Sequence, residues 1–500
     1  MKTKKILPSL AYLYISLPFL IFLLGWMKLY FAIPVCVVLV WTLIRAVRRE
    51  EAFWMPQWNK DTIRRAVFLL IIITLWVFFS GIGGLAWQNP DHYYRNEMFR
   101  ILVEKPWPVR ITENIGGVET MRALTYYIGF WMPAAAFGKV FGLSAGFLFQ
   151  ALWAVLGIAL VYCCICDYLK QFQKWPLVAF VFFSGLDVIG DILWCRNPSD
   201  IFSTHHLEWW SADFWEYSSF TVDLFWVFNQ AIYAWLLFLL LMRQKDNKRI
   251  VLIWSFGLFT SSLPFVGMIP YMLYLMIRNF RDQRAALTGE KKKGGRKAES
   301  ISGSTVLKTW IRGLFTPENV LGGGLVGLIT FSYIRTESSS QNSLLYLPGR
   351  LSFVNYILFV ILEFGVYAFV VYRYRKDQAL YWMTLLILFG CAFIRVGVGP
   401  DFSMRASIPA LTALFLMVID ALARSKKAKE WSVFVPLVIL LCIGAVTPIH
   451  EIARTIEGTA ESYEQNQPVV KHFVQEEQIM TSHNFSSDAD TNFFYQYLGK

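Results

Sequence analysis

The sequence predicts an all-α polytopic membrane protein with roughly 13 transmembrane helices, at about 20 apolar residues each and fewer where a span is tilted or paired. Three observations predict it. Of 500 residues, 56% are hydrophobic and 17% aromatic, with a mean hydropathy of +0.44, too apolar for a soluble chain of this length. The apolar residues are concentrated in long runs. The basic residues, which give a formal net charge of +12, sit in short clusters between those runs, as cytoplasmic loops require. That distribution excludes nucleic acid as a partner and leaves membrane lipids.

Basic clusters orient the runs. Lys2, Lys4 and Lys5 place the N-terminus in the cytoplasm, and residues 7–26 cross outward with no small-residue cleavage site behind them. Residues 29–44 return to Arg45, Arg48, Arg49, Arg64 and Arg65, and residues 67–85 cross outward again. Residues 145–166 run inward toward Lys170 and Lys174, so residues 123–140 are expected either as a re-entrant segment on the outer side, the favoured reading, or as a span that breaks the charge rule. Residues 177–194 go out and residues 222–241 come back to Arg243, Lys245, Lys248 and Arg249. Residues 250–277 exceed one comfortable crossing and carry Ser261-Ser262-Leu263-Pro264 at their middle, which predicts two half-spans in a hairpin. Runs 320–334, 353–371, 380–394, 406–422 and 433–446 complete the set.

Three units follow: residues 1–64 with two helices and a cytoplasmic loop, a transmembrane core over 65–448, and an acidic extracytoplasmic tail over 449–500 that packs back on the outer loops. The core carries outer loops 86–144 and 195–221 and a cytoplasmic loop 278–318, within which residues 289–303 read as disordered. The seven cysteines lie in or beside apolar runs and read as small buried hydrophobes. Cys163 and Cys166 have the spacing of a redox or zinc pair but no second pair to complete it.

Polar groups collect on the outer side in four clusters. The first, in residues 81–110, interrupts a hydrophobic chain. Asn89 can cap a helix, Pro90 suits its first position, and Asp91 falls in its first turn with His92, Arg95 and Asn96 following. Tyr94, Met98, Ile101 and Leu102 make one apolar face, so a short amphipathic helix at the membrane surface is expected. Asp91 is either a site carboxylate or a dipole-favoured partner for Arg95. The second cluster is Asp187 with Asp191, carboxylates inside a span, which face a polar cavity or tie helices together.

The third is His205-His206-Leu207-Glu208-Trp209-Trp210, followed by Asn229 and Gln230 in the next span. His205, His206 and Glu208 could hold a divalent cation. Trp209 suits a sugar face or an interface belt, and the two amides suit hydroxyl recognition or helix–helix contact. The fourth joins Arg395 to Asp401 and Arg405 across a tight turn, either a cap and a salt bridge or a clamp for a lipid-linked phosphate. There is no phosphate-cradling glycine loop, nucleophile elbow or His-Glu-x-x-His motif, so any catalysis has to draw on an activated substrate already in the membrane.

The stretches WQNPDHYYRN with WPV, HLEWW with YSS and FWVFNQA, and PDFSMRASIPAL resemble bacterial membrane proteins of the GT-C glycosyltransferase superfamily, over about residues 81–411. The resemblance implies a GT-C-like helical fold in the bacterial cytoplasmic membrane with its site in the outer loops, and an essential acidic residue in the first long outer loop, here Asp91. It implies a polyprenyl-phosphate-linked sugar donor and a glycan, lipid or protein acceptor. Asp91 would be the base or acceptor-orienting group, and Arg395 or Arg405 would meet the lipid phosphate. His92, Arg95, Asn96, Asp187, His206, Glu208, Trp209, Asn229, Gln230 and Asp401 would line the substrate site. Two rivals remain: a transporter or flippase of lipid-linked glycans, and a membrane polysaccharide polymerase or O-acyltransferase.

Overall fold

The computed structural model describes residues 5–115, 118–194, 206–211, 215–289, 303–335, 350–375, 377–396, 400–465, 472–482 and 484–500. It is a membrane-embedded helical protein. Among the described residues nine helices are long and apolar enough to cross a bilayer, or ten if the bent pair Leu307–Leu314 and Glu318–Ile334 is one span. The sequence led to an expectation of roughly thirteen. The difference lies in apolar runs that do not stay straight. Run 177–194 is two short helices, Trp175–Val181 and Asp187–Trp194, and run 380–394 holds a helix of 14 residues, Gln378–Cys391. Helix Ile250–Thr260 has 11 residues, after which the chain doubles back at Ser261, so that Trp254 stacks on Phe265 with ring centroids 4.0 Å apart.

Residues 123–140 end a strand and then form the 10-residue helix Met132–Phe141, which packs antiparallel on Leu143–Leu169 where Gly138 and Gly146 let the backbones meet. The expected disorder at 289–303 falls almost wholly on residues 290–302, outside the described residues; the chain enters that stretch from helix Ile269–Gly289 and leaves it in helix Gly303–Leu314. The six described cysteines are free thiols.

The core is built around helix Phe220–Met242, buried along nearly its whole length. It is not one rod. Val227 has φ −133° and ψ 35°, and Phe220 and Trp235 bring their rings within 5.6 Å. Fifteen residues of straight helix would separate them by about 22 Å. The chain therefore rises from Phe220, turns over at Val227, and descends from Phe228.

One end of the bundle carries a departure from the all-helical expectation. Strands Arg110–Ile115 and Val118–Leu124 form an antiparallel hairpin, and Ser486–Asp488 of the tail adds as a third strand through Arg122↔Asp488. The tail is pinned further at its last residue, where Lys500 donates its backbone N–H to the Trp26 carbonyl at 2.9 Å. At the opposite end, buried Glu50 accepts from Tyr12 at 2.8 Å and faces Arg243 and Arg249, and buried Glu318 takes Arg49 at 3.0 Å. This acid–base lattice leaves the sheet end as the place where a polar cavity can open.

Candidate functional site

Helix Lys60–Phe79 ends in a turn at Gly81, whose φ of +79° is a left-handed conformation that glycine adopts without a steric cost. The turn delivers Gln88, Asn89 and Pro90 to the head of helix Asp91–Glu104. Asn89 accepts the Asp91 N–H at 3.1 Å through its side-chain oxygen and donates its amide to the Phe225 carbonyl at 2.9 Å. The helix is thus fixed against the fold-back of the central helix.

Three residues of the expected apolar face, Met98, Ile101 and Leu102, are buried, and Tyr94 is not. His92, Asn96, Glu97, Phe99 and Val103 are buried as well, while Asp91, Tyr94, Arg95 and Met98 line a cavity of about 780 Å³. His92 and Asn96, expected to bind substrate, sit behind that wall. His92 Nε2 donates to the Phe225 carbonyl at 3.0 Å, and Asn96 gives its amide to Gln88 at 2.8 Å and to the His472 carbonyl at 3.1 Å. Burial and the Arg95 charge push the His92 pKa down to about 3, so the imidazole is neutral.

A second wall of the same cavity is the short helix Asp401–Ala406. Both walls carry the pattern Pro-Asp-x-x-x-Arg, at Pro90 to Arg95 and at Pro400 to Arg405. In each the aspartate leads the helix and the arginine one turn on closes an ion pair, Asp91–Arg95 at 2.9 Å and Asp401–Arg405 at 3.0 Å. No internal repeat was read in the sequence, where this shared pattern was missed, and only the fold shows that the two copies line one cavity. The first and fourth clusters are one site.

The Asp91 carboxylate is 44% exposed, toward the cavity. Burial works to raise its pKa, but the charge and hydrogen bond of Arg95, with help from Arg405, hold it below the usual carboxylate range. Burial works to lower the Arg405 pKa, and Tyr127, Asp401, Tyr126 and Asp91 reverse that, keeping the guanidinium charged. Each arginine keeps a buried nitrogen without a hydrogen bond, Arg95 Nη1 and Arg405 Nε. Under the cavity, Arg95 Nε reaches Asn229 Oδ1 at 3.4 Å and Gln230 donates to the Tyr127 hydroxyl at 3.0 Å, which leaves Asn229 Nδ2 and Gln230 Oε1 without partners. Tyr126, Tyr127 and Trp131 supply aromatic faces, and Gln478, Thr481, Ser482, Asn484 and Phe485 of the tail close the cavity. The tail was expected to pack back on the outer loops and does so on loop 86–144 through Ser486–Asp488, but its part in the cavity wall was not foreseen. Arg395 is half-buried and is not among the lining residues, although its neighbour Val396 is.

The second and third clusters merge into another site. Asp187, Glu208, Glu216, Asp223, Glu363 and Glu451 are all buried. Asp187 accepts from Ser184 at 2.7 Å and Thr447 at 3.0 Å, and Glu363 accepts from Trp210 at 3.3 Å. They meet where several helices break at one level: between Val181 and Asp187, at the widened turn Ile361–Gly365, and at Ala445. Gly185 permits the approach, since a Cβ there would lie 2.1 Å from Glu363 Oε2. His206 faces Glu208 at 3.7 Å and Glu451 at 3.3 Å; its neighbour His205 lies outside the described residues. Trp209 is 53% exposed. Burial, then Asp187 and Glu216, raises the Glu208 pKa well above its ordinary value, and Glu216 is pushed up to about 7, first by burial. Asp401 and Arg405 also act on Glu216, so the two sites are electrostatic neighbours. Asp191 is buried on the same helix as Asp187. Glu216, Asp223 and Glu451 were not foreseen.

Comparisons of the chain with protein-family models, with curated proteins and with solved structures give no match.

Proposed function

We propose that this protein is a membrane glycosyltransferase that moves a sugar from a polyprenyl-phosphate-linked donor to a glycan, lipid or protein acceptor in the outward-facing cavity between the two Pro-Asp-x-x-x-Arg helices. The observation that carries the reading is Asp91: a half-exposed carboxylate held ionised, in a cavity that also holds two guanidiniums with nitrogens to spare. An ionised carboxylate can take the proton of an acceptor hydroxyl. The acceptor oxygen then attacks the anomeric carbon with inversion, the bond from that carbon to the phosphate oxygen breaks, and the electron pair leaves on the polyprenyl phosphate. Arg405 would meet the charge that develops there, because guanidinium binds phosphate through fixed, directed donors, while Arg95 holds Asp91. Tyr126, Tyr127 and Trp131 offer faces for the sugar ring. The cytoplasmic N-terminus and extracytoplasmic tail follow from the positive-inside distribution, and with them the outward orientation of the site.

The test compares membranes carrying wild-type protein with membranes carrying Asp91→Asn at matched levels. Loss of one sugar from the glycan product, with its polyprenyl-linked donor accumulating, supports transfer. Full activity in Asp91→Asn removes Asp91 from the chemistry. Intact glycans trapped on the inner leaflet favour the transporter reading.

A further inference from the structure

We infer that His206, Glu208 and Glu216 form a site for one divalent metal ion of the zinc or manganese type. One ligand atom from each lies within 4.8 Å of the others, and all three side chains are buried. Three independent observations point to an ion rather than to a packed acidic cluster.

The imidazole is already oriented as a ligand. Its Nδ1 faces Glu451 Oε2 at 3.3 Å, and Glu451 is itself fixed by Trp226 Nε1 at 2.7 Å and Arg454 at 2.8 Å. A carboxylate fixed in this way accepts the hydrogen bond of Nδ1–H and leaves the Nε2 lone pair free, the second-shell arrangement that metal-bound histidines use. Trp226 stacks on the ring at 5.3 Å and Trp209 meets it edge-on at 5.4 Å, so its plane is fixed.

Glu208 is oriented the same way. Its Oε1 accepts the Ser219 N–H at 2.7 Å, at the head of the central helix. Its Oε2, with the side chain fully buried, has no hydrogen-bond donor and looks at His206 Nε2 across 3.7 Å. With Nδ1 carrying the proton and Glu208 ionised, as a bound cation would keep it, these two atoms are both acceptors. Bonds of about 2.1 Å to a tetrahedral ion place neighbouring ligand atoms roughly 3.4 Å apart. The gap fits an ion between them.

The charge balance agrees. Among the described residues no lysine or arginine forms an ion pair with Glu208 or Glu216, while Asp187, Glu363 and Asp223 add further buried carboxylates around them. Burying several carboxylates is costly unless a cation joins them. One imidazole with two carboxylates suits zinc or manganese better than calcium, which prefers oxygen alone. The site is separate from the Asp91 cavity, and the inference does not rest on sugar transfer.

The full-length protein, stripped with chelator in detergent, is titrated with Zn2+ and with Mn2+ by calorimetry. Binding of one of these ions at about one per chain is expected, weakened at least tenfold in His206→Ala and Glu208→Gln. Glu451→Gln, which only frees the imidazole, should weaken it by about tenfold to a hundredfold. No saturable binding of either ion to wild type would overturn the site and leave a proton between His206 and Glu208. Binding that survives both ligand variants would overturn it equally. Should those variants fail to fold, Glu216→Gln still decides, since it must weaken at least tenfold the binding of whichever of the two ions titrates at one equivalent to wild type.

Discussion

The Phe225 carbonyl accepts two side-chain donors, Asn89 Nδ2 at 2.9 Å and His92 Nε2 at 3.0 Å. It lies two residues before Val227, where the central helix leaves helical geometry and its carbonyls lose their regular partners. The fold-back and the Asp91 helix therefore complete each other's hydrogen bonding. Polar residues that read as substrate contacts instead hold Asp91 and Arg95 to the floor made by Asn229.

Asn89→Ala removes the donor to Phe225 and the acceptor for the Asp91 N–H. The expected cost is about 1–2 kcal/mol of stability. Transfer should fall further than that loss of fold accounts for, because Asp91 is the next helix residue but one. Thermal unfolding in detergent and transfer assays at matched folded protein check this. A variant with lower melting but wild-type turnover per folded molecule would mean that Asp91 does not need this anchor.

His92 gives a pH signature. Its pKa falls from 6.5 to about 3 in the fold, so between those values the unfolded chain binds a proton that the native protein does not. Native stability therefore drops as pH falls through that window, by at most about 1.4 kcal/mol per pH unit. In His92→Gln this contribution is gone. The melting-temperature difference between the two proteins should shrink or reverse from pH 6.5 downward and stay constant above about pH 7.5. A difference independent of pH would show that the imidazole is not held neutral.

The membrane class was legible because a bilayer imposes a length and a polarity on every span. The Pro-Asp helix starts were legible too, since Asn89-Pro90-Asp91 and Gly399-Pro400-Asp401 carry their own local capping chemistry. What was hidden depends on non-local contact. No local pattern shows that run 177–194 breaks to let Gly185 meet Glu363, or that Phe220 folds back onto Trp235. Ser486–Asp488 looked like tail and is a strand because Val118–Leu124 offers it an edge. Glu216 stands beside Trp215 and Tyr217 as an ordinary loop acid, and only the fold sets it against His206.

The two arginines should separate in kinetics. On the proposed transfer, Arg405→Ala removes a largely buried guanidinium that would meet the donor phosphate, and is expected to raise KM for the polyprenyl-linked donor by tenfold or more, as loss of about 1.5–3 kcal/mol implies. Arg405→Lys keeps the charge without the fork and should fall between. Arg95→Ala acts on Asp91 instead. Without Arg95 the Asp91 carboxyl rises toward its ordinary range, so the acidic limb of the rate profile moves to higher pH. Equal effects of Arg95→Ala and Arg405→Ala on KM, with no shift of that limb, would contradict these roles.

Gly267 offers a test that touches neither charge. The short helices Ser262–Gly267 and Asp401–Ala406 pack so closely that a Cβ on Gly267 would lie 2.0 Å from the Ala406 carbonyl oxygen and 2.9 Å from its carbon. That neighbour is backbone and cannot rotate away, so Gly267→Ala has to push the Asp401–Ala406 helix outward. Overpacking of this kind costs about 1–3 kcal/mol. The displaced helix carries Arg405, whose reach into the cavity would change by a comparable shift, and misplacement of about an ångström can cost on the order of a hundredfold in rate. Gly327→Ala is the control, since a Cβ there meets nothing within 4 Å and alanine suits a helix better than glycine. Gly327→Ala should therefore keep full transfer and equal or higher melting temperature. If Gly267→Ala loses stability but keeps wild-type kcat and donor KM, the position of Arg405 does not control donor binding.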